Sequence, residues 1–137
     1  MVKVALEETR VIIRRDIDIV LACQKARALA AQLGLSGDDQ VAVVIATSEV
    51  ARNIFKYAGQ GSIVISPLYR DGQNGILIVA YDEGPGIPDI EQAMQDGYST
   101  GGGLGLGLCG AKRLMDAFGI ASELGKGTTV TMKKWSC

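Results

Sequence analysis

The chain of 137 residues is 47% hydrophobic and has a net charge of −1, which is typical of a globular domain with one core. The small charge argues against nucleic acid or an acidic membrane surface as a partner, and no apolar run approaches the roughly 18 residues of a transmembrane helix. The absence of histidine excludes a Ser-His-Asp triad and a histidine metal ligand. Three cysteines without metal-binding spacing indicate reduced thiols. We therefore expect a single cytoplasmic domain over residues 1–137.

The first half of the chain predicts two strands followed by two helices. The expected elements are strands at 2–6 and 10–14, a helix from Asp16 to about Leu33, and a helix from about Asp38 to Tyr57. Asp16 is the expected N-cap of the first helix, and Gly34 is the residue expected to close it. Ser36 and Asp39 have the spacing of a capping box at the start of the second helix.

The second half predicts four strands and two helices. The expected elements are strands at 62–68 and 75–81, a short helix from Ile90 to about Asp96, a helix from Gly105 to Phe118, and strands at 120–124 and 128–135. Residues 70–74 are expected to form a hairpin loop. Because hairpin-joined strands are antiparallel and the helices segregate to one face, the predicted fold class is α+β. We expect a two-layer α/β sandwich with a mixed, mostly antiparallel sheet.

The segment Asp82-Glu83-Gly84-Pro85-Gly86-Ile87-Pro88 directly follows the apolar strand predicted at 75–81. An acid stands where the strand ends, and two glycines and two prolines then enforce a rigid turn. Glycines leave the backbone bare, so that a flat ligand can lie against it. The segment therefore predicts the edge of a ligand pocket with one fixed carboxylate.

Glu49, Asn53 and Lys56 are spaced i, i+4 and i+7 and therefore share one face of the second predicted helix. The amide oxygen of Asn53 suits Mg²⁺, which takes one or two protein oxygens together with phosphates. Glu49 could accept a proton from a nucleophile that attacks a γ-phosphate, and Lys56 could reach phosphate oxygens. The alternative is an ordinary solvated helix face with an i, i+4 pair.

A glycine-rich run at residues 101–110 precedes and enters a predicted helix. Exposed N–H groups at a helix start form an anion site, so the run could cradle phosphates. Residues 105–110 also fit G-x-G-x-x-G, but no strand directly precedes them, and the Walker A pattern is absent. The alternative is a flexible loop followed by close helix packing.

Glu49-x-x-x-Asn53, Asp82-x-Gly84-x-Gly86 and the run at 101–107 together resemble the N, G1 and G2 boxes of the GHKL ATPase superfamily. Residues 125–129 resemble its last box, and the similarity extends from about Arg10 to Trp135. Within this superfamily, residues 48–59, 82–90, 96–100 and 112–116 resemble the RsbT-type serine/threonine switch kinases of the stressosome. The resemblance implies the GHKL (Bergerat) fold with ATP and Mg²⁺ as ligands.

The resemblance also implies roles for individual residues. Asp82 would accept a hydrogen bond from the adenine amino group, Thr128 would assist through water, and Asn53 would hold Mg²⁺. Glu49 would be the general base. Residues that would approach the base or wrap the phosphates are Gly84, Gly86, Gly101, Gly102, Gly103, Leu104, Gly105, Leu106 and Gly107. The implied lid at 89–103 has no Lys or Arg, so a γ-phosphate contact would have to come from Lys56 or Lys112, or be missing.

The implied function is an ATP-dependent protein serine/threonine kinase in a bacterial stress-response module. Its substrate would be a STAS-domain protein of the RsbS or RsbR type, and phosphorylation would weaken that complex by adding charge. The released kinase would then activate an RsbU-type phosphatase by partner switching. One alternative is an ATP-loaded, anti-sigma-type binding protein with negligible kinase activity, and another is a reductase that binds NAD through the glycine run.

Overall fold

The computed structural model describes residues 7–87, 89–90, 94 and 107–136. Its strands are β1 (Thr9–Ile13), β2 (Gly61–Arg70), β3 (Gln73–Asp82), β4 (Ala117–Glu123) and β5 (Gly127–Trp135). Its helices are α1 (Asp16–Gln32), α2 (Gly37–Tyr57) and α3 (Gly107–Leu114). The strand expected at 2–6, most of the helix expected at 90–96 and the loop after it lie outside the described residues. Among the described helices, none has the length and hydropathy to cross a membrane.

The five described strands form one sheet in the order β1-β2-β3-β5-β4. The α+β fold class is confirmed, and all four described strand pairs are antiparallel, where we expected a mixed, mostly antiparallel sheet. β2 and β3 are joined by the two-residue turn Asp71-Gly72, whose φ angles are 51° and 75°. Asp-Gly with two positive φ angles favours a type I′ hairpin turn, so the loop is shorter than the predicted 70–74 and both strands are longer.

The helices cover one face of the sheet, to which alternate strand residues point. Ile63 and Ile65 of β2 lie opposite Ala80 and Ile78 of β3, and all four are buried. The helix residues buried over this face are Ala22, Ala26, Leu29 and Ala30 of α1 and Val43, Ala46, Val50, Ala51 and Ile54 of α2. Because the buried residues of α1 are mostly alanine, its backbone can pack closely against α2. The result is a helix layer over a sheet layer with one core.

The start of α1 differs from the expectation that Asp16 is its N-cap. Asp16 is the first helical residue, and Arg15 occupies the N-cap position. The Asp18 carboxylate accepts hydrogen bonds of 2.9 Å from the backbone N–H groups of Arg14 and Arg15. These two bonds lower the pKa of Asp18 below its ordinary value. Asp18, two residues after Asp16, therefore accepts the hydrogen bonds of the two backbone N–H groups that precede the helix.

The predicted end of α1 and both predicted ends of α2 are confirmed. Ser36 Oγ accepts a hydrogen bond of 3.1 Å from the backbone N–H of Asp39 and so caps α2. Gly34 follows α1 with a φ of 84°, and Gly59 follows α2 with a φ of 78°. These are the left-handed positions that favour glycine after a helix.

The boundary between α3 and β4 differs from the prediction that the helix reaches Phe118. The helix ends at Leu114, and Phe118 lies in β4 opposite Met132. Lys134 Nζ donates a hydrogen bond of 2.9 Å to the Leu114 carbonyl, which satisfies one of the open groups at the helix end. The Asp116 N–H donates to the carbonyl of Lys133 at 2.9 Å. Pairing with β5 thus converts the last predicted helical turn into strand.

Candidate functional site

The last residue of β3, Asp82, is a buried acid with 7% of its surface exposed. It lies on the helix-facing side of the strand, as Ile78 and Ala80 do, and opposite the buried Thr128 of β5. Its Oδ1 accepts a hydrogen bond of 2.9 Å from the Gly84 N–H. Its Oδ2 has no hydrogen-bond partner among the described residues. Asp82 also lines two cavities of about 390 and 520 Å³, so one carboxylate oxygen is available to a ligand.

The two glycines after Asp82 are required by packing of the chain against itself. A Cβ at Gly84 would lie 2.5 Å from the Cβ of Ala58 at the end of α2. Gly86 has a φ of 83°, and a Cβ there would lie 2.6 Å from the carbonyl oxygen of Glu123. From the sequence, both glycines were expected to allow the close approach of a ligand. The structure adds that a side chain at these positions would collide with Ala58 or Glu123.

Ser122 holds the turn after Asp82 against the β4–β5 hairpin, and the sequence analysis missed it. Its Oγ accepts a hydrogen bond of 2.7 Å from the Ile87 N–H and lies 2.8 Å from Thr128 Oγ1. The Gly125 N–H donates to the Pro85 carbonyl at 2.9 Å. Residues 122 and 128 are equally far from the centre of the predicted hairpin, and this spacing could have predicted that their hydroxyl groups lie opposite each other. The turn that carries Asp82 is therefore attached to β4 and β5.

The predicted stripe on α2 runs from the interior to the surface. Glu49 is buried with 7% exposure, Asn53 is half-buried and Lys56 is exposed. Glu49 Oε1 accepts a hydrogen bond of 2.9 Å from Arg52 Nη1, an ion pair that the sequence analysis did not predict. Asn53 has no hydrogen-bond partner among the described residues. Lys56 Nζ lies 5.1 Å from the ring centroid of Tyr57. The acid and the amide thus occupy different depths of the same face.

The C-terminal end of α2 lies against the Asp82 turn. A Cβ at Gly61 would be 2.9 Å from Ile54 Cγ2 and 3.1 Å from Asp82 Cβ. The clash that a Cβ at Gly84 would make with Ala58 gives a second point of approach. Two of the three sequence motifs, the α2 stripe and the Asp82 turn, are therefore carried by elements in direct contact.

The third motif lies mostly outside the described residues. The residues not described are Gly101, Gly102, Gly103, Leu104, Gly105 and Leu106. Gly107 begins α3 with a φ of 58°. Leu108 and Ala111 bury α3 in the common core that also contains α2, while Lys112 is exposed. The described end of the glycine run therefore leads into a helix beside the proposed site.

The side-chain oxygens at this site suit an Mg²⁺ ion that takes most of its other ligands from phosphate groups. Within the described part of the chain, no three His, Cys, Asp or Glu side chains are grouped to hold a metal ion. The Asn53 side chain offers one hard oxygen donor and makes no competing hydrogen bond there. Mg²⁺ commonly keeps several waters and takes one or two protein oxygens plus substrate phosphates. The residues present fit such a shared site.

We predict that Gly127→Ala lowers the free energy of unfolding by about 2–4 kcal/mol. Gly127 has a φ of 122°, and an added Cβ would lie 2.0 Å from the backbone oxygen of Asp82. Urea unfolding monitored by circular dichroism measures the loss. Gly119→Ala in β4 is the control, because a Cβ there meets no atom within 4 Å. Equal stability of the two variants would contradict the close approach of β5 to Asp82.

A match to a protein-family model identifies the class of protein to which this chain belongs. Residues 14–134 match the model described as "Histidine kinase-like ATPase domain". The chain belongs to this family of ATP-binding domains. The match favours ATP over NAD as the nucleotide that this chain binds.

Two individual proteins are similar to most of this chain. The chain is 48% identical over 129 residues to "Serine/threonine-protein kinase RsbT" of Bacillus subtilis, with 94% of this chain and 97% of the relative covered. It is 34% identical over 117 residues to "Anti-sigma F factor" of Geobacillus stearothermophilus, covering 80% of this chain and 79% of the relative.

A solved structure confirms the fold. The RsbU and RsbW domains of Rv1364c from Mycobacterium tuberculosis superpose with a TM-score of 0.65 at 18% identity. The alignment covers 94% of this chain and 32% of that longer chain. At this identity the likeness concerns the architecture alone.

Proposed function

We propose that this protein is an ATP-dependent protein serine/threonine kinase. The observation that carries the proposal is the buried Glu49 one helical turn before Asn53, on a helix whose end packs against the Asp82 turn. In this proposal, Glu49 is the base, Asn53 the magnesium ligand and Asp82 the adenine acceptor, and adjoining elements carry all three. The relative that is 48% identical and named a serine/threonine-protein kinase supports the same reaction.

In the proposed reaction, a serine or threonine hydroxyl oxygen of the partner bonds to the γ-phosphorus of ATP. The bond from that phosphorus to the bridging oxygen breaks, and ADP departs with the bonding electrons. The hydroxyl proton passes to the Glu49 carboxylate, which acts as the general base. The proposed catalytic role of the buried acid is thus proton acceptance next to the transferred phosphate.

The nucleotide is proposed to bind at the junction of α2, β3 and β5. Asp82 Oδ2 accepts from the adenine amino group, and Thr128 Oγ1 retains hydrogen-bonding capacity for a bridging water beyond its contact with Ser122. Asn53 would hold Mg²⁺, whose chemistry there is to neutralise charge on the phosphates. The proposed phosphate-wrapping residues are Gly101, Gly102, Gly103, Leu104, Gly105, Leu106 and Gly107. Lys56 or Lys112 is the proposed γ-phosphate contact.

The proposed partners are those of a cytoplasmic partner-switching module. The substrate is a STAS-domain protein of the RsbS or RsbR type in a stressosome, and the later partner is an RsbU-type phosphatase. A new phosphate places about −1.5 to −2 charges in the complex at neutral pH, which weakens an interface that has no matching cations. Phosphorylation would thereby release the kinase to its second partner.

The proposal is tested by incubating the protein with γ-labelled ATP and a purified RsbS-type STAS protein. We expect label on serine or threonine of the STAS protein in the presence of Mg²⁺, and none after chelation with EDTA. Calorimetry with Mg-ATP, repeated in the presence of NAD, provides the binding control. ATP binding without transfer would favour an anti-sigma-type binding protein, and absence of ATP binding would overturn the nucleotide site.

A further inference from the structure

Arg52 connects the proposed base with the outer surface of α2. Its Nη1 lies 2.9 Å from Glu49 Oε1, and the side chains of Arg52 and Glu49 are 48% and 7% exposed. Within the described part of the chain, Arg52 is the one residue that forms a hydrogen bond with the Glu49 side chain. A buried carboxylate is therefore held by a cation that remains accessible from outside.

The exposed part of Arg52 lines a groove of about 320 Å³ between α1 and α2. Val20, Cys23 and Val44 contribute apolar surface, and the charged residues on the lining are Arg27 and Arg52. Burial raises the pKa of the Cys23 thiol, and the positive charge of Arg52 acts in the opposite direction. The groove is thus apolar with two cations and has no acid among its described lining residues.

Charge complementarity defines the partner that such a groove accepts. An acidic side chain flanked by apolar residues would pair with the guanidinium groups while its neighbours cover the apolar walls. Arg52 makes a single hydrogen bond to Glu49 Oε1, whereas a carboxylate in the groove can form a two-bond pair with the guanidinium and turn it away from Glu49. A carboxylate in the groove therefore competes with Glu49 for the same donor.

We propose that Arg52 is a positioning residue that restrains Glu49 until a protein partner seats an acidic side chain in the α1–α2 groove. The partner's carboxylate takes the guanidinium, and the Glu49 carboxylate becomes available to a hydroxyl at the site. Without a partner, the ion pair prevents Glu49 from accepting a proton from water, and ATP hydrolysis stays slow. This inference rests on the proposed kinase function.

The first test removes the cation and measures ATP hydrolysis without any partner. We expect Arg52→Met to raise kcat for hydrolysis about threefold to fivefold, with KM for ATP changed less than about twofold. Arg52→Lys should restore part of the restraint, since it retains the charge. Lys25→Met is the matched control because it removes an exposed cation of α1 that lies outside the groove lining. A fall in kcat with Arg52→Met would show that Arg52 assists Glu49 and would overturn the proposal.

The second test supplies the competing carboxylate from within the chain. Ser48 lines the groove and lies four residues before Arg52, so a glutamate at 48 stands one helical turn away from the guanidinium. We expect Ser48→Glu to raise basal hydrolysis more than the neutral Ser48→Gln, which adds the same bulk without the charge. In the Arg52→Met background, Ser48→Glu should add nothing. An equal increase in that background would overturn the competition for Arg52.

The outcomes separate this inference from the function on which it rests. If the wild-type protein fails to bind Mg-ATP in calorimetry, the proposed function and the restraint fail together. If it binds ATP and phosphorylates a STAS protein, but Arg52→Met and Ser48→Glu hydrolyse ATP at the wild-type rate, only the role of Arg52 is wrong.

Discussion

Glu49→Gln is expected to lower the rate of phosphate transfer about 10²–10⁴-fold while ATP affinity changes less than about threefold. Glutamine retains the size of the side chain and one oxygen that can accept from Arg52, but it cannot take up the hydroxyl proton. Single-turnover transfer of labelled phosphate to a STAS protein measures the rate. Isothermal titration calorimetry measures ATP binding separately.

Asp38→Asn is the matched control for Glu49→Gln, because it removes an exposed acid from the first turn of the same helix. It should leave the transfer rate unchanged. If Glu49→Gln transfers phosphate at the wild-type rate, then Glu49 is not the general base. A parallel loss of ATP affinity and helix content would instead assign the buried carboxylate a structural role.

Asp82→Asn is expected to weaken ATP binding about tenfold to a hundredfold, because a buried charged hydrogen bond contributes about 1.5–3 kcal/mol. Asparagine keeps one oxygen for the Gly84 N–H, so the turn should persist. Its amide group presents donors where the adenine amino group needs an acceptor. Calorimetry with Mg-ATP measures the affinity, and circular dichroism and thermal unfolding verify the fold.

Asp71→Asn is the control for the same chemical change elsewhere in the chain. Asp71 lies in the β2–β3 turn with a φ of 51°, a conformation that asparagine also adopts readily. Its ATP affinity should equal that of the wild type. Should Asp82→Asn also bind ATP with wild-type affinity, the adenine does not contact this carboxylate.

Local sequence patterns were sufficient to predict most elements and two parts of the candidate site. Short apolar runs rich in β-branched residues placed β2 and β3, and the spacing of Glu49 and Asn53 placed both on one face of α2. Such patterns work because side-chain direction follows directly from helical and strand geometry. Asp82 could be placed at a strand end because an acid followed by glycines and prolines ends the apolar run.

Long-range contacts decided what these patterns could not. The final predicted turn of α3 became strand because Phe118 pairs with Met132 of β5, 14 residues further along the chain. The Ser122–Thr128 contact and the exclusion of a side chain at Gly127 depend on how β4 and β5 meet the Asp82 turn. No single-residue preference encodes these approaches, since tertiary packing overrides local propensity.

The amino-acid sequence by itself determined the α+β class, the order of the helices and strands, and the residue types that a nucleotide site needs. Only the tertiary structure decided that Glu49 is buried in an ion pair with Arg52, and that the Asp82 turn packs against the end of α2. The physical reason is that periodicity fixes the direction of a side chain within its own element. Its depth, partner and charge environment depend on neighbours that are remote in the chain.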